Sequence, residues 1–296
     1  MLKKISNYLN YYPGLKFRYS NSKIYKKFEI LFTTFLAKHN NSFKNIFFIS
    51  NKKKNYKNCH YYKFNKAEIL NNSQLNSLSE NGIVVLENVL DESKFKTLKK
   101  KVDNLIKIEM NKPKKKINLF VTDSIYKLSI KFDLKKEKIL NEISKSVTKK
   151  IYGNVINPNT SIIYTKSLKI PESTYNGDNN FHPDRYLPNL KMFFYTNDVE
   201  MDGAPFSYAI GSHKINKKYL NYYLDNNSYV FHEGNPDSKI FLKNKKKFPV
   251  KKNSLIIALT NGFHGRAKFN KLSDRTAIFL QYPDFNLKSL FRNIFI

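Results

Sequence analysis

The chain has 296 residues, 41% of them hydrophobic, and includes 24 Phe and 20 Tyr. That length and apolar content allow a sizeable core and exclude a chain that is disordered throughout. A single cysteine, Cys59, excludes an intrachain disulfide and is typical of a reducing compartment.

The net charge of +30 comes almost entirely from lysine, since 48 of the 53 basic residues are Lys and only 5 are Arg. Asn, Ile, Tyr and Phe are also frequent while Trp is absent, a bias that is typical of low-GC codon usage. The charge therefore has two interpretations, codon drift or a polyanion or membrane-surface partner. The arginines are more informative, because a guanidinium forms a planar fork that Lys cannot copy. They are Arg18, Arg185, Arg266, Arg275 and Arg292.

The amino-terminal part differs from the rest, because residues 1–60 carry 13 basic residues and a single acid, Glu29. Apolar residues recur at helical spacing over 23–39, which predicts an amphipathic helix that packs on the main domain or contacts a membrane surface or partner. No apolar region typical of a signal peptide opens the chain, and no apolar stretch is long enough to cross a bilayer. We predict a cytoplasmic protein with a basic, partly helical N-terminal extension (1–63) and a main domain (64–296).

The first part of the main domain favours helices. A short helical stretch ends at the Asn81-Gly82 turn and is followed by a β-rich run over 83–89. Asp91 is expected to cap the next helix, and Gly153 to end another. The predicted helices cover residues 75–80, 92–110 and about 135–152.

From residue 153 onward the pattern changes to short β-like runs separated by Gly, Pro, Asn and Asp turns. These runs are 161–170, 189–198, 205–213, 238–242, 253–260 and 275–282. The lysine run over 243–252 predicts a solvated loop or the edge of a hairpin. Helices followed by many short strands favour an α+β fold with flanking helices, and a double-sheet jelly roll would close that many antiparallel strands.

One pair of residues in this β-rich half suggests a metal site. His182 and Asp184 are two positions apart, so on a strand their side chains point to the same face. Alone the pair is a weak signal, but His264 follows the strand expected over 253–260 and offers a third ligand. Two His and one carboxylate with open positions make the facial triad of non-haem Fe(II) oxygenases. Zinc could occupy the same ligands, although three-ligand zinc sites usually serve hydrolysis.

A cation is also expected near this triad. Arg275 lies eleven residues after His264 and opens a predicted strand, where its fork would pair with the far carboxylate of an iron-chelating dicarboxylate. Lys191 shares one strand face with Phe193 and Tyr195, so either it contacts substrate or cosubstrate or it alternates into solvent. Tyr164, on the preceding strand, has the same two interpretations.

Two segments, 181–214 and 261–285, resemble the phytanoyl-CoA dioxygenase family. They contain a His-x-Asp, then Gly-Ser-His-Lys, then a distal His and an Arg eleven residues later. Residues 80–93 resemble the opening strand and helix of that family, and the likeness extends over roughly 70–290. The resemblance implies a double-stranded β-helix that uses Fe(II), 2-oxoglutarate and O2. It would make His182, Asp184 and His264 the ligands at the catalytic centre, and Arg275 the anchor for 2-oxoglutarate.

The chain departs from the family pattern at Arg266, where many members carry a small hydroxyl residue two positions after the distal His. Arg266 would either add a second cation beside the dicarboxylate or face the substrate. Asp184 favours hydroxylation, because related halogenases lack this carboxylate. His213, in the Gly-Ser-His-Lys segment, is expected to have a structural hydrogen-bonding role.

The sequence therefore predicts an Fe(II)- and 2-oxoglutarate-dependent dioxygenase that hydroxylates an unactivated C–H of a small molecule. An acyl thioester, an amino-acid derivative and a sugar or natural product are all candidate substrates, and a basic site would suit an anionic one. No specific nucleic acid is expected as a partner. The alternatives are an inactive jelly-roll protein with a structural metal and a Lys-rich protein that binds polyanions.

Overall fold

The computed structural model describes residues 61–63, 70–113, 119–121, 125–170, 181–184, 189–214, 244–267 and 271–282. The helix expected over 23–39, the strand expected over 238–242 and the N-terminal extension up to residue 60 lie outside these described residues. Among the residues described, no helix is long and apolar enough to cross a membrane.

In the described residues, helices and strands alternate up to residue 152, and from residue 159 onward the elements are all strands, as the sequence predicts for that half. The α-helices are α1 (Asn72–Asn81), α2 (Glu92–Met110) and α3 (Lys138–Tyr152). The first five strands are β1 (Tyr61–Lys63), β2 (Ile83–Glu87), β3 (Leu119–Val121), β4 (Ile125–Lys131) and β5 (Asn159–Ser167). The others are β6 (Leu190–Tyr195), β7 (Phe206–Ala209), β8 (Lys245–Phe248), β9 (Ser254–Leu259), β10 (His264–Arg266) and β11 (Asp274–Gln281).

The strands form two sheets. The main sheet has eight strands in the order β1-β2-β9-β6-β11-β5-β4-β3, and the small sheet has three in the order β10-β7-β8. The β1–β2 pair is parallel, and the other described strand pairs are antiparallel. Strand β1, at one edge of the main sheet, consists of residues 61–63, which the sequence analysis assigned to the N-terminal extension (1–63). A three-residue edge strand is too short to show a periodic pattern, which explains the difference.

Both faces of the main sheet are covered. One face packs against the three helices in a large apolar cluster. The other face lies against the small sheet, where Phe193 and Tyr195 of β6 pack with Phe206 and Tyr208 of β7. We call this second side the inner face. Helices on one side and a second sheet on the other agree in outline with the predicted jelly roll and flanking helices.

Local signals set the helix ends. Asp91 accepts a hydrogen bond from the backbone N–H of Lys94 at 2.9 Å and caps α2 as predicted. Gly153 ends α3 with a left-handed φ of 79°, also as predicted. The first helix, α1, begins earlier than expected because Asn71 and Gln74 form a reciprocal capping box.

The lysine run contains β8, which pairs with β7 and forms an edge of the small sheet, so part of the run lies at a strand edge. The sequence analysis missed β3 and β4, which lie at one end of the main sheet. β4 pairs with β5 over seven residues, and its side chains alternate only imperfectly between buried and less buried positions.

Candidate metal centre

Backbone pairing brings the two predicted histidine ligands together. The N–H of His182 donates to the carbonyl oxygen of His264 at 2.9 Å, and the N–H of His264 donates to the carbonyl oxygen of His182 at 3.1 Å. Directly paired residues of adjacent strands project their side chains to the same side. The imidazole ring centroids are consequently only 4.8 Å apart.

Asp184 completes the group. Its backbone N–H donates to the Thr260 carbonyl oxygen at 2.8 Å, which fixes the chain just after the His182 pairing. Its carboxylate oxygens lie 4.0 Å from His182 Nε2 and 3.6 Å from His264 Nε2. One potential ligand atom from each of the three residues lies within 4.8 Å of the others.

A backbone carbonyl holds the imidazole of His264. Its Nδ1 lies 2.9 Å from the carbonyl oxygen of Gly262. A carbonyl only accepts hydrogen bonds, so Nδ1 carries the proton, and Nε2, which lies 3.6 Å from Asp184 Oδ2, keeps a lone pair that a metal could accept. Burial lowers the pKa of His264 to about 4, against the opposing charge of Asp184, so the ring is neutral near pH 7.

The arrangement fits a divalent metal. Ligand atoms that share a coordination shell of ~2.0–2.2 Å radius lie roughly 3–4 Å apart, and the observed separations agree with this. Burial raises the pKa of Asp184, but the charge that His264 acquires at low pH, the charge of Lys191, and hydrogen bonds from Lys191 and Thr260 outweigh burial and lower this pKa to about 2. Asp184 is therefore ionised near neutral pH, as a metal ligand must be.

Lys191 is the nearest cation that the structure gives for this carboxylate. Its Nζ lies 2.7 Å from Asp184 Oδ2, with side-chain exposures of only 16% for Lys191 and 17% for Asp184. The side chain is on the inner face of β6 with Phe193 and Tyr195, as the alternation predicts. Of its two interpretations, alternation into solvent is wrong, because the residue contacts the candidate ligand.

The two arginines lie farther along the same inner face. Arg275 on β11 pairs in register with Thr165 on β5, and its Nη1 donates to the Ala204 carbonyl oxygen at 3.4 Å. Nη2 of Arg266 lies 3.3 Å from Thr165 Oγ1. Burial raises the pKa of Tyr195, and the positive charges of Arg275 and Arg266 both oppose that rise. Both guanidiniums therefore border the space around Tyr195 and Thr165.

Strand register separates these arginines from Lys191. On β6, Lys191 pairs with Gln281, whereas Tyr195 pairs with Ala277, two residues from Arg275. The carboxylate side of the triad and the arginines therefore lie toward opposite ends of β6 and β11. Arg266, two residues after His264 on β10, extends from the triad toward the arginine end.

Tyr164 does not join this group. It packs with the apolar cluster on the helix-facing side of the main sheet, and its hydroxyl donates to Asp274 Oδ2 at 2.9 Å. Its neighbour Thr165 occupies the inner face instead. Both faces of β5 carry buried residues, so the sequence pattern does not indicate which of the two adjacent residues reaches the inner face.

Sequence reasoning also missed the residues that support the triad. Thr260 and Gly262 act partly through backbone carbonyls, which no side-chain pattern identifies. The Asn261-Gly262 turn before His264 was the available signal. His213, expected to be structural, is buried with Nε2 3.0 Å from the Ser79 carbonyl oxygen.

Comparison with models of protein families finds no match, and comparison with curated proteins finds none either. The similarity to the phytanoyl-CoA dioxygenase family therefore remains a resemblance of the quoted segments.

Solved structures do match. The apoform of EctD from S. alaskensis has a TM-score of 0.52 at 15% identity, over 75% of this chain and 80% of that one. The carbocyclase SnoK, described as non-haem and alpha-ketoglutarate dependent, has a TM-score of 0.49 at 14% identity, over 73% of this chain and 84% of its own. HygX from Streptomyces hygroscopicus, with nickel and 2-oxoglutarate bound, has a TM-score of 0.48 at 15% identity, over 73% and 88%. The likeness to EctD shows that the two chains share a fold, and no more than the fold.

Proposed function

We propose that this protein is a mononuclear non-haem oxygenase that uses Fe(II) and 2-oxoglutarate. The observation that carries the proposal is the convergence of His182, Asp184 and His264 between the two sheets. Two imidazoles and one carboxylate are the donor set of the facial triad, which leaves positions open for other ligands.

Support for iron comes from the donor set and from the shared fold. EctD, whose apoform has the same fold as this chain, has also been solved with bound Fe. The three donors leave open coordination positions, whereas structural zinc sites are usually closed by four protein ligands. Nε2 of His264 is held for coordination by the hydrogen bond from Nδ1 to Gly262.

Support for 2-oxoglutarate comes from the two arginines. Within the described part of the chain, the Arg275 guanidinium donates to a neutral group, the Ala204 carbonyl, and no ion pair with a carboxylate is found there for it. Arg266 is buried nearby, and Thr165 offers a hydroxyl between the two guanidiniums. A dicarboxylate bound at the metal by its keto-acid end would place its other carboxylate toward this pair, where a buried anion needs cations.

The chain's own residues would divide the work of the reaction. Bound iron, with 2-oxoglutarate and O2, would supply the oxidising chemistry, and the protein would position the groups that react. His182, Asp184 and His264 would hold the metal, and Arg275 and Arg266 would orient the cosubstrate. Phe193 and Phe206, with ring centroids 5.1 Å apart on facing sheets, keep water from the interior beside His264.

Hydroxylation of a small molecule is the outcome that we propose. The presence of Asp184 favours it, since a site that omits this carboxylate would leave room for a halide. The candidate substrates are acyl thioesters, amino-acid derivatives and sugars or natural products.

An anaerobic titration tests the proposal. Fe(II) and 2-oxoglutarate added together should give a visible metal-to-ligand charge-transfer band, and neither alone should give it. His264→Ala should abolish the band, whereas Tyr164→Phe, on the opposite face of the sheet, should retain it. Zinc binding without any band with Fe(II) and 2-oxoglutarate would contradict the proposal and would favour a hydrolytic or structural metal site.

A further inference from the structure

Lys191 sits directly against the carboxylate that would bind the metal. The Nζ–Oδ2 distance to Asp184 is 2.7 Å, and both side chains are largely buried. Oδ2 is also the carboxylate oxygen that lies 3.6 Å from Nε2 of His264. The carboxylate oxygen that contacts the Lys191 ammonium is therefore one that could also coordinate the metal.

Strand geometry keeps Lys191 in that position. Leu190 and Met192, its neighbours on β6, are fully buried on the helix-facing side of the main sheet. A shift by one residue would exchange the two faces and bury the ammonium among aliphatic side chains. Leaving Asp184 would also leave two partly desolvated charges without partners. The contact is thus a fixed part of the site.

The charge of the site follows from this contact. Imidazoles bind a metal in their neutral form, so the three ligands together carry the −1 of the carboxylate, and the Lys191 ammonium brings the total to zero. A divalent metal would then raise the charge to +2, with Arg266 and Arg275 adding positive charge along the same inner face. In a poorly solvated site, that charge opposes metal binding until an anion compensates it.

We propose that Lys191 makes metal binding at this centre conditional on a dianionic co-ligand. Lys191 weakens the binding of the metal alone, and a bound dicarboxylate removes most of that penalty. Metal and dicarboxylate therefore bind with positive coupling, and by linkage each raises the affinity of the other equally. This inference rests on the proposed metal and cosubstrate, and it assigns the coupling to one residue.

A purely supporting role for Lys191 would have the opposite consequence. If the lysine only held Asp184 in place, its removal would loosen a ligand and weaken metal binding. If the lysine acts as a competing charge, its removal strengthens the binding of the metal alone. The sign of the change in metal affinity therefore separates the two roles.

Calorimetric titration with Co(II), with and without saturating 2-oxoglutarate, tests the inference on the full-length protein. We expect Lys191→Met to tighten the binding of Co(II) alone by about 10-fold, or ~1.4 kcal/mol. The factor by which 2-oxoglutarate strengthens Co(II) binding should fall by a similar amount. Lys191→Arg, which keeps the charge, should resemble wild type. Lys131→Met, an exposed lysine on β4, controls for the loss of one net charge.

The possible results are distinguishable. Unchanged or weaker Co(II) binding by Lys191→Met would overturn the inference while leaving the metal site intact. Failure of wild type to bind Co(II), or to bind 2-oxoglutarate once loaded, would overturn the proposed function and this inference together. Lys191→Gln replaces the methionine variant if the latter does not unfold cooperatively, with the same expected sign.

Discussion

His182 and His264 are joined by two reciprocal backbone hydrogen bonds, with N···O distances of 2.9 and 3.1 Å. Main-chain pairing therefore holds the two imidazoles close together, in addition to any packing of their side chains. Because these hydrogen bonds involve only backbone atoms, we expect them to form in alanine variants, which should fold and isolate the role of each ring.

We expect His182→Ala and His264→Ala each to weaken Co(II) binding by more than ~100-fold. Removing a residue that only hydrogen-bonds to a metal ligand weakens metal binding by up to ~100-fold, and removing the ligand itself should cost more. Isothermal titration measures the affinity, and circular dichroism checks that the fold persists. Tyr164→Phe is the matched control, because its hydroxyl bonds to Asp274 on the other face. Metal affinity within a few-fold of wild type in both histidine variants would argue against the assigned triad.

Arg275 is expected to hold the far carboxylate of 2-oxoglutarate. Breaking a buried charged pair from one side costs ~2–5 kcal/mol, so Arg275→Ala should raise the 2-oxoglutarate dissociation constant about 30-fold or more. Arg275→Lys keeps the charge but loses the fork, so its constant should lie between those of Ala and wild type. Co(II) affinity in the absence of 2-oxoglutarate should change little.

Arg266→Ala, measured in the same way, shows whether both guanidiniums contact the dicarboxylate. A loss comparable to that of Arg275→Ala would mean that they share it, whereas a small loss would leave Arg266 for the substrate. Wild-type 2-oxoglutarate affinity in Arg275→Ala would exclude the proposed cosubstrate site even if iron binds normally.

Gly262 lies in the turn whose carbonyl positions His264, and it has no room for a side chain. A Cβ there would lie 2.0 Å from the Tyr208 hydroxyl and 2.9 Å from the backbone nitrogen of His213. We expect Gly262→Ala to lower the free energy of unfolding by about 1–3 kcal/mol, as overpacking does, and to weaken metal binding. Chemical denaturation measures the first effect and Co(II) titration the second.

Gly203→Ala provides the comparison for that variant. The nearest contact of a Cβ at Gly203 is Ser273 Oγ at 3.4 Å, an ordinary separation. Its unfolding free energy should therefore stay close to that of wild type. Equal unfolding free energies of the two alanine variants would show that the turn at Gly262 accommodates a methyl group without loss of stability.

The buried imidazole of His213 should make stability depend on pH. Burial lowers the pKa of His213 to about 3, below the ~6.5 of an unfolded histidine. Between these values the unfolded chain binds more protons, so this contribution is full above about pH 6.5 and declines as the pH falls. His213→Gln removes the titration while retaining a donor for the Ser79 carbonyl.

Wild type should therefore lose about 2 kcal/mol more of its unfolding free energy than His213→Gln between about pH 7 and about pH 5. Denaturant titrations of both proteins at each pH measure the difference, and the other titrating groups largely cancel in the comparison. Parallel stability curves would show that His213 is not kept neutral by burial.

Local features of the chain were predictable because their causes are local. The Asp91 cap and the Gly153 terminus depend on residues within one helical turn, and both were found as expected. The side chains of Lys191, Phe193 and Tyr195 share a face because strand alternation has a period of two. The convergence of His182, Asp184 and His264 was predicted from their order combined with their strand context, the nearby Arg275 and the flanking Gly turns.

Which face a residue occupies, and what it meets there, was decided only by the tertiary structure. The main sheet is buried on both sides, so hydrophobicity does not distinguish the inner face of β5 from the helix-facing one. Tyr164 was therefore expected at the site where Thr165 lies. Lys191 on β6 contacts Asp184 only because the tertiary fold brings the two side chains together on the inner face. The β1–β2 pairing likewise joins residues more than twenty positions apart. Alternation determines which side chains of one strand share a face. The register and stacking of the sheets determine which charged side chains from different strands meet at the site.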